Sequence, residues 1–338
     1  MTSVLPSNTD IVIRPLQYRD LAAIERLFRE ESDTAYCTRS VAISRQLHRL
    51  RQWYSPLKLL RWFPYQSQHW HRTHVAEQAN QIRGVIQVSP FNRARSTWRV
   101  DHVAVDPTAS VLGIGSQLLR HCFETILEAR TWLLEVNVNH SDALSLYRQN
   151  GFQPLAKMTY WEIAVAQLQN LAAREPDLPN FLPIGNADAA LLYQLDTAAM
   201  PPLVRQVFDR YPHDFKTGLF NGWLSSVGQR ISQTQTISGY VFEPQRKAAI
   251  GYLQVQLCRD GSQPHVAQLT VHPAYTWLYP ELLTQMARLT QNLPQQQLQI
   301  ASSDFQPERE AYLERVGAQR VEHTLMMSRS VWHKVRES

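Results

Sequence analysis

The residues of this 338-residue chain best placed to do chemistry are Gly113-Ile114-Gly115-Ser116, standing directly before the helical pattern QLLRHCFETILEA. The first N–H groups of a helix lack internal acceptors and carry the positive end of its dipole, so phosphate binds there, and glycine lets the backbone approach the oxygens. Glycines at such a position also begin ordinary, tightly packed helices, so the surroundings must decide. The chain carries 34 Lys and Arg against 29 Asp and Glu, a net charge of +5. That balance favours an anionic ligand: a phosphorylated cofactor, nucleic acid or a membrane surface. Cys37, Cys122 and Cys258 are scattered, with no CxxC or Cys/His spacing. This argues against a disulfide framework and a structural zinc, so no metal is expected.

The glycines are positioned by a strand on one side and a helix on the other. WRVDHVAVDP is apolar at Val100, Val103 and Val105 and reads as a central strand ended by Asp106 and Pro107. Leu118, Leu119, Phe123, Ile126 and Leu127 then share one helical face. A second strand and helix follow in TWLLEVNVNHSDALSLYRQNGF, and the chain begins with a strand and helix of its own in IVIRPLQYRDLAAIERLFREE.

The same order recurs downstream. FLPIGNADAALLYQLDTAA repeats the opening, with Asp188 in the place of Asp20, and IGYLQVQLC repeats RGVIQVSPF, pairing Gly84 with Gly251 and Gln87 with Gln254. QLTVHP answers HVAVDP, Leu282 and Leu283 answer Leu118 and Leu119, and LQIASSDFQPEREAYLERVGA answers the closing strand and helix, with Tyr312 beside Tyr147 and Gly317 beside Gly151. Five pairings in one order at offsets of 164 to 168 point to a duplicated domain. The polar stretch AAREPDLPNF, with Pro176 and Pro179, reads as the join. The expected division is residues 1–167, a linker at 168–180, and residues 181–338.

VDPTASVLGIGSQLL resembles motif A of the GNAT superfamily of N-acetyltransferases, in which a strand ending V-x-P is followed by R/Q-x-x-G-x-G/A and a helix. TWLLEVNVNHSDALSLYRQNGF resembles the family's closing elements, with matches at Asn139, Ala143, Tyr147, Gly151 and Phe152. The resemblance implies an α/β fold of the mixed-sheet kind: two tandem GNAT-like domains, each a central mixed β-sheet flanked by helices. It implies acetyl-coenzyme A as co-substrate. Its pantetheine arm would meet the backbone from Val103 through Ala104 to Val105, and its pyrophosphate the N–H groups of Val111, Leu112, Gly113, Ile114, Gly115 and Ser116, with Asn139 beside it. It places Tyr147 near the sulfur, where a phenol can protonate the departing thiolate as an amine attacks the thioester directly. One departure is that the family's leading Arg or Gln falls on Ser110, followed by apolar Val111 and Leu112.

An ammonium cannot attack, so a general base is also required, and Asp101 and His102 are the candidates on the central strand; a water chain is the alternative. Alternation puts the two on opposite faces, with Asp101 on that of Val103 and Val105. The second copy replaces SVLGIGS with AYTWLYP, which holds Pro280 and no glycine. Pro280 removes an N–H donor, so this copy is expected to bind no coenzyme A.

Between Asp33 and Glu77 no acidic residue occurs, while Arg39, Arg45, Arg49, Arg51, Lys58, Arg61 and Arg72 interleave with Trp53, Tyr54, Trp62, Phe63, Tyr65 and Trp70. Three readings of segment 39–72 stand: a solvated helix face, a docking surface for an anionic membrane or protein partner, or nucleic-acid binding, the last weakest. His69, His71 and His74 lie close together without metal-ligand spacing and read as surface residues. No long apolar run and no export signal is seen, so a cytoplasmic location is expected. The leading expectation is an acetyl-coenzyme A dependent N-acetyltransferase acting on an amine-bearing acceptor. The rival is a non-catalytic GNAT-fold protein that binds or assembles.

Overall fold

Alternating apolar residues make strands only if each finds a neighbour for its backbone, and here the choice of neighbour divides the chain. The computed structural model describes residues 11–34, 72–108, 113–216 and 234–330. Two compact units result, one of Met1–Gln153 with Met327–Ser338, the other of Pro154–Met326.

The first unit runs β1 (Val12–Pro15), α1 (Leu21–Thr34), β2 (Arg72–Gln78), β3 (Gln81–Pro90), β4 (Thr97–Val105), α2 (Ile114–Thr125), β5 (Thr131–Asn137) and α3 (Ser141–Gln149). Its strand order is β1-β2-β3-β4-β5, followed by β12 (Gln319–Ser330), whose last residues belong to this unit. Strands β1 to β4 pair antiparallel and β4 with β5 parallel, a connection that requires a crossover and receives α2. Ile24 and Leu27 of α1 cover one face, packing with Val75, Ile82, Val85 and Ala104. The start of α1 is pinned by buried Asp20, which accepts from the Gln17 N–H (2.8 Å) and from both terminal nitrogens of Arg14 (2.6 and 2.9 Å). Arg14 holds the Asp20 carboxyl below the usual carboxylate range. On the other face α2 buries Ile114, Leu118 and Leu119 completely. Gly84 lets it come that close, since a Cβ there would stand 2.8 Å from Ile114 Cγ2.

The second unit holds β6 (Gln153–Ile163), α4 (Val165–Ala172), β7 (Phe181–Pro183), α5 (Ala189–Ala199), α6 (Pro202–Phe208), β8 (Thr234–Glu243), β9 (Ala248–Cys258), β10 (His265–Val271), α7 (Leu278–Thr290), β11 (Leu298–Ser303), α8 (Pro307–Arg315) and most of β12. Its order is β12-β6-β11-β10-β9-β8-β7. Asp188 accepts from the Gly185 N–H at 2.7 Å as Asp20 does in the first unit. A Cβ on Gly251 would stand 3.0 Å from Leu282 and 3.1 Å from Leu278, so α7 sits on β9 as α2 sits on β3.

The units do not divide at 168–180. That stretch opens inside α4, and the division falls between Gln153 and Pro154. The cause is the ladder of β6, which pairs Met158 with Ser303 through Ile163 with Leu298 on β11, reinforced by the Trp161 indole N–H to Ser302 Oγ at 2.8 Å. In sequence β6 closes the first repeat; in space it belongs to the second unit, and the end of β12 belongs to the first. Among the described residues no helix is long and apolar enough to cross a membrane.

Candidate functional site

The site begins with two parallel strands that part. β4 and β5 pair only at Thr97 with Thr131, Trp98 with Trp132 and Arg99 with Leu133, although β4 continues to Val105 and β5 to Asn137. Where they separate, β4 carries a bulge: β3 pairs Val88 with Val100 but Gln87 with His102, leaving Asp101 as the extra residue. A bulge bends and twists its strand. Val103, Ala104 and Val105 therefore keep their ladder to β3 while leaving that to β5. An extended chain bearing amides can use such backbone in the way an added strand does.

The gap leads to the start of α2. Asp106 closes β4 by accepting from the Thr108 N–H (2.9 Å), the Thr108 hydroxyl (2.6 Å) and Arg83 Nη1 (2.6 Å). These donors, the Thr108 hydroxyl foremost, hold its carboxyl below the usual range. Ser110, Val111 and Leu112 lie outside the described residues. Gly113 ends the loop as the N-cap of α2 at φ +66°, where a side chain would be strained. The N–H groups of Ile114, Gly115 and Ser116 form the first turn and have no acceptor one turn earlier in the helix, which suits a pyrophosphate. Gly115 serves closeness: a Cβ there would stand 2.9 Å from Leu146 Cδ2 of α3. Asn150 then ties the two helices, donating from Nδ2 to Ser116 Oγ and to the Leu146 carbonyl, both at 2.8 Å.

Tyr147 is held by the way α3 ends. Gly151, at φ +83°, donates to the Arg148 carbonyl (3.0 Å), and Phe152 donates to the Tyr147 carbonyl (3.1 Å). This is a Schellman motif with Tyr147 three residues inside the cap, and its usual apolar contact is the Tyr147–Phe152 ring pair, 5.8 Å apart and edge-on. Phe152 is fully buried and Tyr147 is 9% exposed. Asn139 is an exposed residue of the β5–α3 turn, its N–H donating to Asn137 Oδ1 at 2.9 Å.

Two expectations change here. The bulge breaks the alternation, so the face of Asp101 does not follow from that of Val103 and Val105; the residue across from Val88 is Val100. Arg99 Nε donates to Asp101 Oδ1 at 2.6 Å, while His102 lies opposite Gln87. His74 is no surface histidine: it stands in β2 with its ring 4.8 Å from that of His121 on α2. Burial first, then His121 and Arg72, push it down to about 4. His69, His71 and most of segment 39–72 lie outside the described residues.

Residues 69–154 match the acetyltransferase (GNAT) domain family. They are a GNAT domain. No curated protein matches the chain. Among solved structures it is similar to a GCN5-related N-acetyltransferase from Sphaerobacter thermophilus at 13% identity and TM-score 0.57, covering 97% of each chain. It is also similar to a tandem GNAT protein from the clavulanic acid biosynthesis pathway, at 14% identity and TM-score 0.59, covering 96% of this chain and 100% of that one. At such identities the likeness is one of fold: a mixed α/β fold shared with a tandem GNAT protein.

The second unit repeats the geometry of the GNAT domain and closes it. β10 and β11 likewise pair for three residues, His265 with Leu298 to Ala267 with Ile300, and then part. Here Arg309 of α8 fills the gap, donating to the Ala301 carbonyl of β11 (2.9 Å) and to the Leu269 carbonyl of β10, over the ring of Tyr279. The helix ends set the register, because Gly317 and Ala318 donate to Glu314 and Leu313 in the same Schellman pattern. Arg309 therefore answers Ala143. Tyr147 answers Leu313, and Tyr312 is one position away from the place the sequence comparison assigned it. No bulge is present in the β9–β10 ladder from Val266 to Val271. The turn before α7 has Trp277 in helical conformation where the GNAT domain has left-handed Gly113. Arg309, Asn150 and Leu146 were not singled out in the sequence; a large cation at the helix position where the first copy has Ala143 was the available signal.

Proposed function

We propose that the protein is an acetyl-coenzyme A dependent N-acetyltransferase in which the N-terminal GNAT domain carries the reaction and the second unit binds no coenzyme. The observation that carries this reading is the gap between β4 and β5, which leads into the Gly113-capped start of α2 and is tied to the Tyr147 helix through Gly115 and Asn150. Backbone of Val103, Ala104 and Val105 would receive the pantetheine amides, and the N–H groups of Ile114, Gly115 and Ser116, with those of Val111 to Gly113, the pyrophosphate. The co-substrate supplies an acetyl thioester. A neutral amine forms its N–C bond as the C–S bond breaks, the Tyr147 phenol gives its proton to the leaving sulfur, and the ammonium proton passes to Asp101, to His102 or to water. Asp101 is our first assignment, since the bulge that opens the gap is centred on it and bulges redirect side chains at active sites.

The test is free-thiol release by the full-length protein with acetyl-coenzyme A and a panel of small amines, peptide N-termini and lysine peptides. Tyr147→Phe should lower kcat by about 100-fold or more, in the range of a lost general acid, with acetyl-coenzyme A affinity within about threefold of the parent. Stoichiometric binding with no turnover on any acceptor would instead make it a GNAT-fold binding protein.

A further inference from the structure

The last strand brings an arginine into the GNAT domain, and the reading of Tyr147 as the acid does not use it. Met327–Ser330 of β12 belong to the first unit although they lie far downstream of the rest of it. The guanidinium carbon of Arg329 stands 3.9 Å from the centre of the Phe123 ring on α2. Its Nε and Cδ lie 3.3 and 3.7 Å from where a Cβ on Gly151 would be. Its Nη1 is buried with no hydrogen-bond partner among the described residues, and the contacts that place it are with the Phe123 ring and beside Gly151. Burial lowers its pKa.

Both contacts lead to Tyr147. Gly151 is the left-handed residue whose N–H closes α3, and its neighbour Phe152 donates to the Tyr147 carbonyl. Phe123 is 6.1 Å from Phe152, and Phe152 is 5.8 Å from Tyr147, centre to centre, both within the range of paired rings. Phe123 is 8% exposed and Phe152 fully buried, so the ring column is a close-packed interior that passes on a displacement instead of absorbing it.

We propose that Arg329 is a positioning residue for Tyr147: docked on Phe123 and against Gly151, it holds the end of α3 and the ring column that orient the phenol. The end of β12, itself part of the first unit, thereby supports the transfer site without touching substrate. This rests on the assignment of Tyr147 as the acid, and the experiment separates the two claims.

Arg329→Ala, Arg329→Met and Arg329→Lys are made in the full-length chain, alone and with Tyr147→Phe, and read by hydrogen exchange across 145–153, by turnover and by acetyl-coenzyme A affinity. Exchange at the Phe152 amide should rise by about tenfold in Arg329→Ala and less in Arg329→Lys, and kcat should fall by about tenfold with affinity changed by less than about threefold. In the Tyr147→Phe background Arg329→Ala should cost no further turnover, because the two act through one group. Unchanged exchange in that segment overturns the proposal whatever the activity, as does a double variant whose loss is the product of the two single losses. Should Tyr147→Phe itself leave turnover intact, the acid assignment fails, and the exchange result still decides whether Arg329 holds the helix end. Arg329→Met keeps most of the packing volume and serves if Arg329→Ala does not fold.

Discussion

The two gaps, between β4 and β5 and between β10 and β11, are built alike and lined differently. Each opens after three parallel pairs, and each is flanked by a helix whose end is a Schellman motif on a left-handed glycine. In the first, α3 presents Ala143 toward the end of its first turn; in the second, α8 presents Arg309, which satisfies carbonyls on both parted strands. Parted strands leave buried backbone acceptors that need a donor. One unit supplies it from its own side chain. In the other, under the proposed function, that role would fall to the amides of the pantetheine arm.

The comparison breaks first, and hardest, at Arg309. Arg309→Met should remove two charge-assisted hydrogen bonds and destabilise the second unit by about 3 kcal/mol in urea unfolding. It should not create a second coenzyme site, because α7 still begins with Trp277 and Pro280 in place of left-handed glycine. Two equivalents of acetyl-coenzyme A bound per chain in calorimetry would show that the plug alone separates the units.

A smaller effect is expected from the glycines. Gly115→Val would push α2 away from Leu146 and weaken acetyl-coenzyme A by about tenfold or more, roughly 1.4 kcal/mol. In the second unit Gly251→Ala, at the counterpart of Gly84, crowds Leu282 and Leu278, and should cost about 1–3 kcal/mol of stability while leaving coenzyme affinity unchanged. Affinity lost equally in both variants would mean that the site depends on general stability and not on the close approach of α2 to α3 at Gly115.

The smallest effect concerns His74, which packs on α2 through His121. Its folded value of about 4 lies below the ordinary imidazole value of 6.5. Between those pH values the unfolded chain binds more protons, so stability falls as pH drops from about 6.5 toward 4. The carboxyls of Asp20 and Asp106, lowered from 3.8, contribute only at lower pH. Because His74 is partly exposed to solvent, the loss should be about 1 kcal/mol, and smaller in His74→Gln. Parallel stability curves for the two proteins between pH 6.5 and 4.5 would remove His74 from the account.

Much of the GNAT domain was legible because its signals are local. Gly113 and Gly115 stand at a fixed spacing after a strand, and the A-x-x-L-Y-x-x-x-G-F helix writes out its own cap. Two things misled. Counting Tyr147 against Tyr312 took matching letters over matching helix ends, and the hydrogen bonds of Gly151 and Gly317 show the register to be one residue different. Alternation across Asp101 assumed an unbroken strand, and an inserted residue in a ladder leaves no trace in the order of apolar side chains.

Spacing and periodicity were enough to give the order of strands and helices, the glycine-capped start of α2, the absence of such a cap in the second copy, and the resemblance to GNAT acetyltransferases. They act within a few residues, where backbone geometry leaves few choices. Which strand lies beside which was decided only in three dimensions. β6 reads as the close of its own repeat and pairs with β11, the end of β12 joins the first unit, and Arg309 and Arg329 acquire their roles from strands and rings remote in sequence. The physical reason is that every strand here offers the same backbone donors and acceptors and a similar apolar face. Partner and register are then selected by packing across the whole unit, an outcome no local pattern records.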